Sequence, residues 1–262
     1  QIKKVGVIGA GTMGAGIAGQ VANAGTEVWL LDLPSDGENV NSLSAKGLER
    51  LKDPDMPGLM SVEAEKLIRL GNTRDDFHQL EDCDWVAEAV VERLDIKQAL
   101  YHQLNDVCKV TTIITSNTST IPISLLTKGM PKKFCERFAI THFFNPVRFM
   151  RLLELVRGEF TREDVINTLD MFSETMLGKG VVSCSDTPGF LANRVGVFAI
   201  QCALYKAFKY KLSPTEADAF FGRPLGLPKT GVFGLYDLIG IDLMADVVKS
   251  LVSILPENDA FH

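Results

Sequence analysis

The stretch that most constrains this chain is Lys3-Lys4-Val5-Gly6-Val7-Ile8-Gly9-Ala10-Gly11-Thr12-Met13-Gly14. Val5 to Ile8 is a short apolar run of the kind buried in a parallel sheet, and the small apolar residues after Gly14 suit a helix packed closely on that sheet, stopped by Gly25. Between strand and helix the spacing is G-x-G-x-x-G. Gly9 allows the tight turn, Gly11 lets the backbone approach a pyrophosphate, and Gly14 lets helix and strand touch, while Thr12 and Met13 open the helix. The helix N-terminus offers unpaired N–H groups and a positive dipole end to the anion. A second strand, Glu27 to Asp32, ends in an acid about 20 residues beyond the glycines, where the adenine ribose hydroxyls lie. Asp32 argues for NAD over NADP, because a carboxylate repels a 2′-phosphate. FAD uses the same fingerprint and stays open.

With 262 residues and 46% apolar content, the chain can bury a full core and is long enough for two unequal domains. A net charge of −6 gives no basic face for nucleic acid. Cys83, Cys108, Cys135, Cys184 and Cys202 are scattered and odd in number, which fits reduced thiols in a cytoplasmic protein better than disulfides or a metal site. The sequence opens directly on the first strand, so no leader is expected, and the longest apolar stretch, Phe190 to Phe208, is broken by Arg194 and Lys206, so no membrane span is expected either. The chain starts without methionine and closes no element at its end, which reads as a trimmed or fragmentary chain.

Beyond a turn-rich segment at Leu33–Asn41, helices are expected at Ser42–Leu51 and Val62–Leu70, with a strand near Asn72–Thr73. Trp85 to Val90 reads as a buried strand, followed by a helix running to about Val107. Glu92 and Lys97 open that helix on the ligand edge of the sheet, either as solvated charges or as cofactor-side groups. The strand Thr111–Thr115 runs into Ser116-Asn117-Thr118-Ser119, small hydrogen-bonding residues that suit either a loop with a helix cap or donors for a substrate.

The most chemical stretch runs from Phe138 to Val156 and includes His142-Phe143-Phe144-Asn145-Pro146. Two apolar strands flank a proline-containing turn, so a hairpin is expected. With the turn centred near Arg148, His142 and Glu154 stand opposite each other. An imidazole facing a carboxylate in a half-buried site suits a general base, because the carboxylate fixes the tautomer and stabilises the imidazolium that forms. His78 falls in an acidic loop, His102 on a helix face and His262 at the chain end, so His142 is the well-placed candidate.

Alternating strands and helices give way to helices alone near Asp186-Thr187-Pro188-Gly189. Thr187-Pro188 reads as a cap and first turn of a helix reaching Tyr210, with Asn193 a polar side chain among apolar ones that either caps backbone or reaches into a cleft. Ser213-Pro214-Thr215-Glu216 is a capping box, Arg223 to Gly231 a loop, and Leu235–Ile239 and Leu243–Ile254 are helical. The expected fold is α/β: a Rossmann-type doubly wound sheet over 1–186 and a smaller all-α C-terminal domain, incomplete here, over 187–262.

Val7-Ile8-Gly9-Ala10-Gly11-Thr12-Met13-Gly14, Glu88-Ala89-Val90-Val91-Glu92, Ser116-Asn117-Thr118-Ser119 with His142-Phe143-Phe144-Asn145-Pro146 and Glu154, and Asp186-Thr187-Pro188-Gly189-Phe190 with Asn193-Arg194 together resemble the 3-hydroxyacyl-CoA dehydrogenase family over nearly the whole chain. The resemblance implies NAD-dependent interconversion of L-3-hydroxyacyl-CoA and 3-ketoacyl-CoA in fatty-acid β-oxidation. It makes His142 the base, Glu154 its partner, and Ser116 and Asn193 the groups around the reacting oxygen, and it places Asn145, Glu92 and Lys97 on the cofactor side. The helical domain is too small and too apolar to stand alone, so packing on the first domain and a homodimer through the helical domain are expected. The segment around Lys46, Arg50 and Lys52, suggested for the CoA phosphates, matches the family's single-function members poorly. That departure and the missing C-terminal segment look more like the dehydrogenase part of a multifunctional protein carrying a hydratase elsewhere. A dehydrogenase of small β-hydroxyacids, which typically uses lysine at His142, and a non-catalytic crystallin-like relative are the competing expectations.

Overall fold

The computed structural model describes residues 1–226 and 229–261. Two compact units divide the chain, Gln1–Thr187 and Pro188–His262. In the first, β1 (Lys4–Ile8), α1 (Thr12–Asn23) and β2 (Glu27–Asp32) are followed by α2 (Ser42–Arg50), α3 (Val62–Lys66), β3 (Ile68–Asn72), β4 (Trp85–Glu88) and α4 (Leu94–Val107). Then come β5 (Ile113–Ser116), the single turns α5 (Ile123–Leu126) and α6 (Lys132–Cys135), β6 (Phe138–Phe143), β7 (Leu152–Arg157), α7 (Glu163–Thr175) and β8 (Gly180–Cys184).

The eight strands form one sheet in the order β3-β2-β1-β4-β5-β6-β7-β8. Strands β1 to β6 are parallel, β7 runs antiparallel to β6, and β8 parallel to β7. Strand order reverses at β1 and β4, which opens the crevice where doubly wound sheets take their ligands. Val5, Val7, Val28, Leu30, Trp85 and Ala87 are essentially inaccessible, because α1 and the helices of the opposite layer cover both faces of these strands.

Helix α3 is shorter than its pattern suggests. Ser61 caps it by accepting the Ala64 N–H, but it ends at Lys66, and Ile68–Asn72 joins β2 in parallel register from Val28↔Ile68 to Asp32↔Asn72. Pairing along a sheet edge overrides a further helical turn there, so the expected helix to Leu70 and strand at Asn72–Thr73 are both displaced.

The second unit contains α8 (Ala192–Lys209), α9 (Pro214–Phe220), α10 (Phe233–Ile239) and α11 (Ile241–Ile254). Ser213 and Glu216 form the reciprocal capping box of α9. Helix α8 does not start at Thr187-Pro188. Gly189 and Phe190 hold φ of 75° and 48°, left-handed values that no helix can pass through, so helical geometry begins at Ala192. Of the expected loop from Arg223 to Gly231, Leu227 and Pro228 lie outside the described residues. No helix among the described residues is long and apolar enough to cross a membrane.

Candidate active site

The glycine turn after β1 is shaped by contact. Gly9 sits at φ 97°, and a Cβ there would lie 2.4 Å from the Ala89 carbonyl oxygen. At Gly14 a Cβ would lie 1.7 Å from the Gly9 carbonyl oxygen, so the helix seats on the turn only because that position is glycine. Gly11 and Thr12 are exposed with open space at Gly11, and Met13 is half-buried. Helix α1 has no acidic residue in its first turn and no side-chain cap, so its leading N–H groups stay available to an anion. Asp32 braces this cradle by accepting the Ala10 N–H at 2.5 Å and the Leu33 N–H at 2.7 Å. A carboxylate has roughly four acceptor positions, so Asp32 retains room for ribose hydroxyls. These residues fit a dinucleotide.

Beside the turn lies a recess of about 250 Å³ lined by Thr12, Gly16, Arg50, Gly58, Asn145 and Arg148, among others. Of the three basic residues suggested for CoA phosphates, Arg50 lines this recess and bonds the Ala10 carbonyl at 2.9 Å. Lys52 is paired with Glu49 at 3.0 Å and Glu65 at 2.7 Å, and Lys46 is exposed.

Strands β6 and β7 pair from Ala139↔Arg157 to Phe143↔Leu153, with His142 directly opposite Glu154. The His142 Nδ1 and Glu154 Oε2 are 2.7 Å apart, and the two residues are only 4% and 0% exposed. A carboxylate against Nδ1 places the neutral ring's proton there and leaves Nε2 as an acceptor. That nitrogen lies 2.9 Å from the Ser119 Oγ. The second Glu154 oxygen accepts the Cys184 thiol at 3.6 Å, from β8. An imidazole fixed on one side by an acid and presenting its other nitrogen beside a hydroxyl has the geometry of a general base.

Ser116 stands elsewhere than the resemblance implied. It is wholly buried at the last position of β5, donates its hydroxyl to Glu88 Oε2 at 2.7 Å and accepts the Thr118 N–H at 3.2 Å. A side chain so enclosed cannot touch a substrate; three residues on, half-exposed Ser119 holds the position beside His142. Lys97 is likewise not an open cofactor-side charge. It is 1% exposed, with its ammonium 2.6 Å from Glu88 and 3.2 Å from Glu92.

Glu92 keeps an exposed flank but is drawn into the loop after β5, accepting the Thr118 hydroxyl, the Ser119 N–H at 3.2 Å and the Thr120 hydroxyl at 3.1 Å. Burial pushes the Glu92 carboxyl up, but Lys97 and these hydroxyls outweigh it and hold the group below the ordinary carboxylate range. Asn193 sits in the first turn of α8 and is half-buried. Ser119, Glu88 and Tyr101 were not singled out by spacing. Ser119 lay within a recognised motif, but its three neighbouring hydroxyl residues were equally plausible from sequence.

A doubly wound sheet with a dinucleotide-type glycine cradle on one strand end and a carboxylate-held imidazole on another has the layout of the NAD-dependent oxidoreductases. The comparisons with known proteins narrow it. The description "3-hydroxyacyl-CoA dehydrogenase, NAD binding domain" matches residues 4–187, and "3-hydroxyacyl-CoA dehydrogenase, C-terminal domain" matches 189–262. The chain belongs to the 3-hydroxyacyl-CoA dehydrogenase family. It is 43% identical, over its full length, to a putative fatty acid oxidation complex trifunctional enzyme of Rickettsia prowazekii, of which it spans 36%. Identity is 42% to a probable 3-hydroxyacyl-CoA dehydrogenase of Deinococcus radiodurans, with all of this chain and 76% of that one aligned. Among solved structures, M. tuberculosis FadB2 superposes with a TM-score of 0.84 at 32% identity, covering 98% of this chain and 89% of that one. The (S)-3-hydroxybutyryl-CoA dehydrogenase of Ralstonia eutropha gives 0.81 at 32% identity, covering 97% and 88%.

Proposed function

We propose that the chain oxidises L-3-hydroxyacyl-CoA esters to 3-ketoacyl-CoA with NAD, as a step of fatty-acid β-oxidation. The observation that carries this reading is the His142 ring held at 2.7 Å by buried Glu154 with its other nitrogen 2.9 Å from Ser119. Bound NAD supplies the hydride acceptor. His142 Nε2 takes the proton of the 3-hydroxyl as the carbonyl forms, and Glu154 stabilises the resulting imidazolium. The Ser119 hydroxyl donates to the same oxygen, and the family resemblance adds Asn193 as a second donor to it. Gly9, Gly11, Thr12, Met13 and Gly14 cradle the pyrophosphate, Asp32 takes the ribose, and Asn145 and Glu92 border the nicotinamide end. Arg50, in the recess beside the turn, is the basic group best placed for CoA phosphate.

The substrate is thereby a CoA ester and not a free β-hydroxyacid, whose dehydrogenases use lysine at His142. Partnership follows the relatives: the Rickettsia match supports a longer protein with further β-oxidation activities. Exposed Phe208, Tyr210, Phe220 and Leu225 on the helical unit support a homodimer. Oxidation of NADH by acetoacetyl-CoA tests the assignment. Turnover with the CoA ester and none with free acetoacetate supports it, whereas NADH binding without turnover of either refutes it.

A further inference from the structure

The Ser119 hydroxyl belongs to a half-exposed loop that leaves β5 beside a fully buried polar cluster. Glu88, the last residue of β4, is 0% exposed and spends both carboxylate oxygens on four donors. Oε1 accepts the Val90 N–H at 2.8 Å and the Lys97 ammonium at 2.6 Å. Oε2 accepts the Tyr101 hydroxyl at 2.6 Å and the Ser116 hydroxyl at 2.7 Å. Burial, and then the neighbouring Glu88 carboxylate, push the Tyr101 phenol well above its ordinary range, so Tyr101 stays protonated and remains a donor.

Ser116 is the corner of this arrangement. While donating downward to Glu88, its oxygen accepts the Thr118 N–H at 3.2 Å and so turns the chain out of β5. The loop is tied on its other side by Asn117, whose Oδ1 accepts the Phe143 N–H at 2.9 Å, one residue from His142. The chain is thus anchored one and two residues before Ser119, whose own N–H is held by Glu92 at 3.2 Å.

We propose that Ser116 and Tyr101, acting through Glu88, are positioning residues that hold the Ser119 hydroxyl against His142 Nε2. Neither touches the substrate. A buried carboxylate with four donors cannot shift without leaving charge or hydrogen-bond donors unpaired, so the cluster acts as a rigid anvil under the loop. Replacing Glu88 itself leaves the buried Lys97 ammonium with Glu92 alone, at 3.2 Å, and endangers folding. The milder changes are Ser116→Ala, which removes the corner, and Tyr101→Phe, which removes the other donor to the same oxygen while leaving the ring between Phe134 and Phe138.

The inference rests on the proposed role of Ser119, and a double-mutant cycle separates the two claims. Single-turnover rates and NADH affinity are measured for the wild type, Ser116→Ala, Ser119→Ala and the pair. Loss of one buried hydrogen bond corresponds to a rate reduction of about tenfold in Ser116→Ala, with NADH affinity changed by no more than about twofold. In the Ser119→Ala background the same change costs less than about twofold, because there is no hydroxyl left to misplace. Tyr101→Phe follows the same pattern with a smaller loss. Equal losses in both backgrounds make the cluster a general structural element and overturn the proposal, while the Ser119 reading survives. A wild-type rate in Ser119→Ala refutes that reading and the positioning role with it.

Discussion

Glu154→Gln is the sharpest perturbation of the proposed chemistry. It keeps the shape of a side chain that is 0% exposed and deletes only the charge facing the ring. As His142 takes up a proton, it becomes a cation whose nearest counter-charge is the Glu154 carboxylate, 2.7 Å from Nδ1 by closest atoms. For charge centres about 4 Å apart at an effective dielectric of about 20, the attraction is roughly 4 kcal/mol. Only part of the proton has moved at the transition state, and the glutamine oxygen still accepts from Nδ1–H. The expected cost is therefore about 3 kcal/mol, or a rate reduction on the order of a hundredfold. The assay is the single-turnover rate of 3-hydroxyacyl-CoA oxidation, which slow product release cannot mask, alongside NADH affinity by fluorescence titration. Affinity is expected to stay within about threefold, since Glu154 has no part in the glycine cradle. A rate within about threefold of the wild type, or an affinity loss as large as the rate loss, refutes the assignment of Glu154 to the reacting proton.

Two further predictions concern titrating groups away from that pair. Lys179 is buried, donates to the Val147 carbonyl and to the Met150 carbonyl at 2.8 Å, and is pushed down by burial to about 8. The unfolded chain keeps the ordinary higher value and so binds more protons between the two, which means this lysine's penalty is complete below pH 8 and is relieved as pH rises toward 10.5. The melting temperature of the wild type should accordingly gain on that of Lys179→Met between pH 7.5 and 10, and a constant difference counts against it. Burial also pushes the Cys83 and Cys108 thiols up to about 12 and about 11, while Cys202 is exposed. N-Ethylmaleimide at neutral pH should therefore modify Cys202 in the native protein and leave Cys83 and Cys108 unmodified by peptide mass spectrometry.

Much of the nucleotide-binding half was legible because its constraints are local. Gly14 is required by a contact within a single turn and Gly9 by the left-handed backbone of that turn, and Asp32 closes the next strand, so spacing along the chain carries the information. The segment Ile68–Asn72 was misplaced because its strand identity comes from β2, not from its own residues. Residues 157–184 offered no motif at all, and α7 and β8 were not anticipated; β8 is half-buried and defined by its pairing with β7. The helical boundary at Ala192 turns on two left-handed residues, of which Phe190 is of a type that gives no sequence warning.

The β6–β7 hairpin shows where sequence reasoning reaches a candidate site and where it stops. A regular antiparallel ladder is symmetric about its turn, so the numbers 142 and 154 alone place the imidazole opposite the carboxylate once the turn is centred at 148. Loops have no such arithmetic. Ser116 and Ser119 are both hydroxyls at the end of one strand, and their opposite destinations, one beneath the loop on Glu88 and one above it beside His142, depend on a carboxylate 28 residues before the first and an imidazole 23 residues after the second. The distinction lies in which hydroxyl the sheet encloses. β5 ends with Ser116 still inside the sheet, where an unpaired hydroxyl is costly and Glu88 is within reach, whereas Ser119 has passed the sheet edge and lies beside the His142 ring.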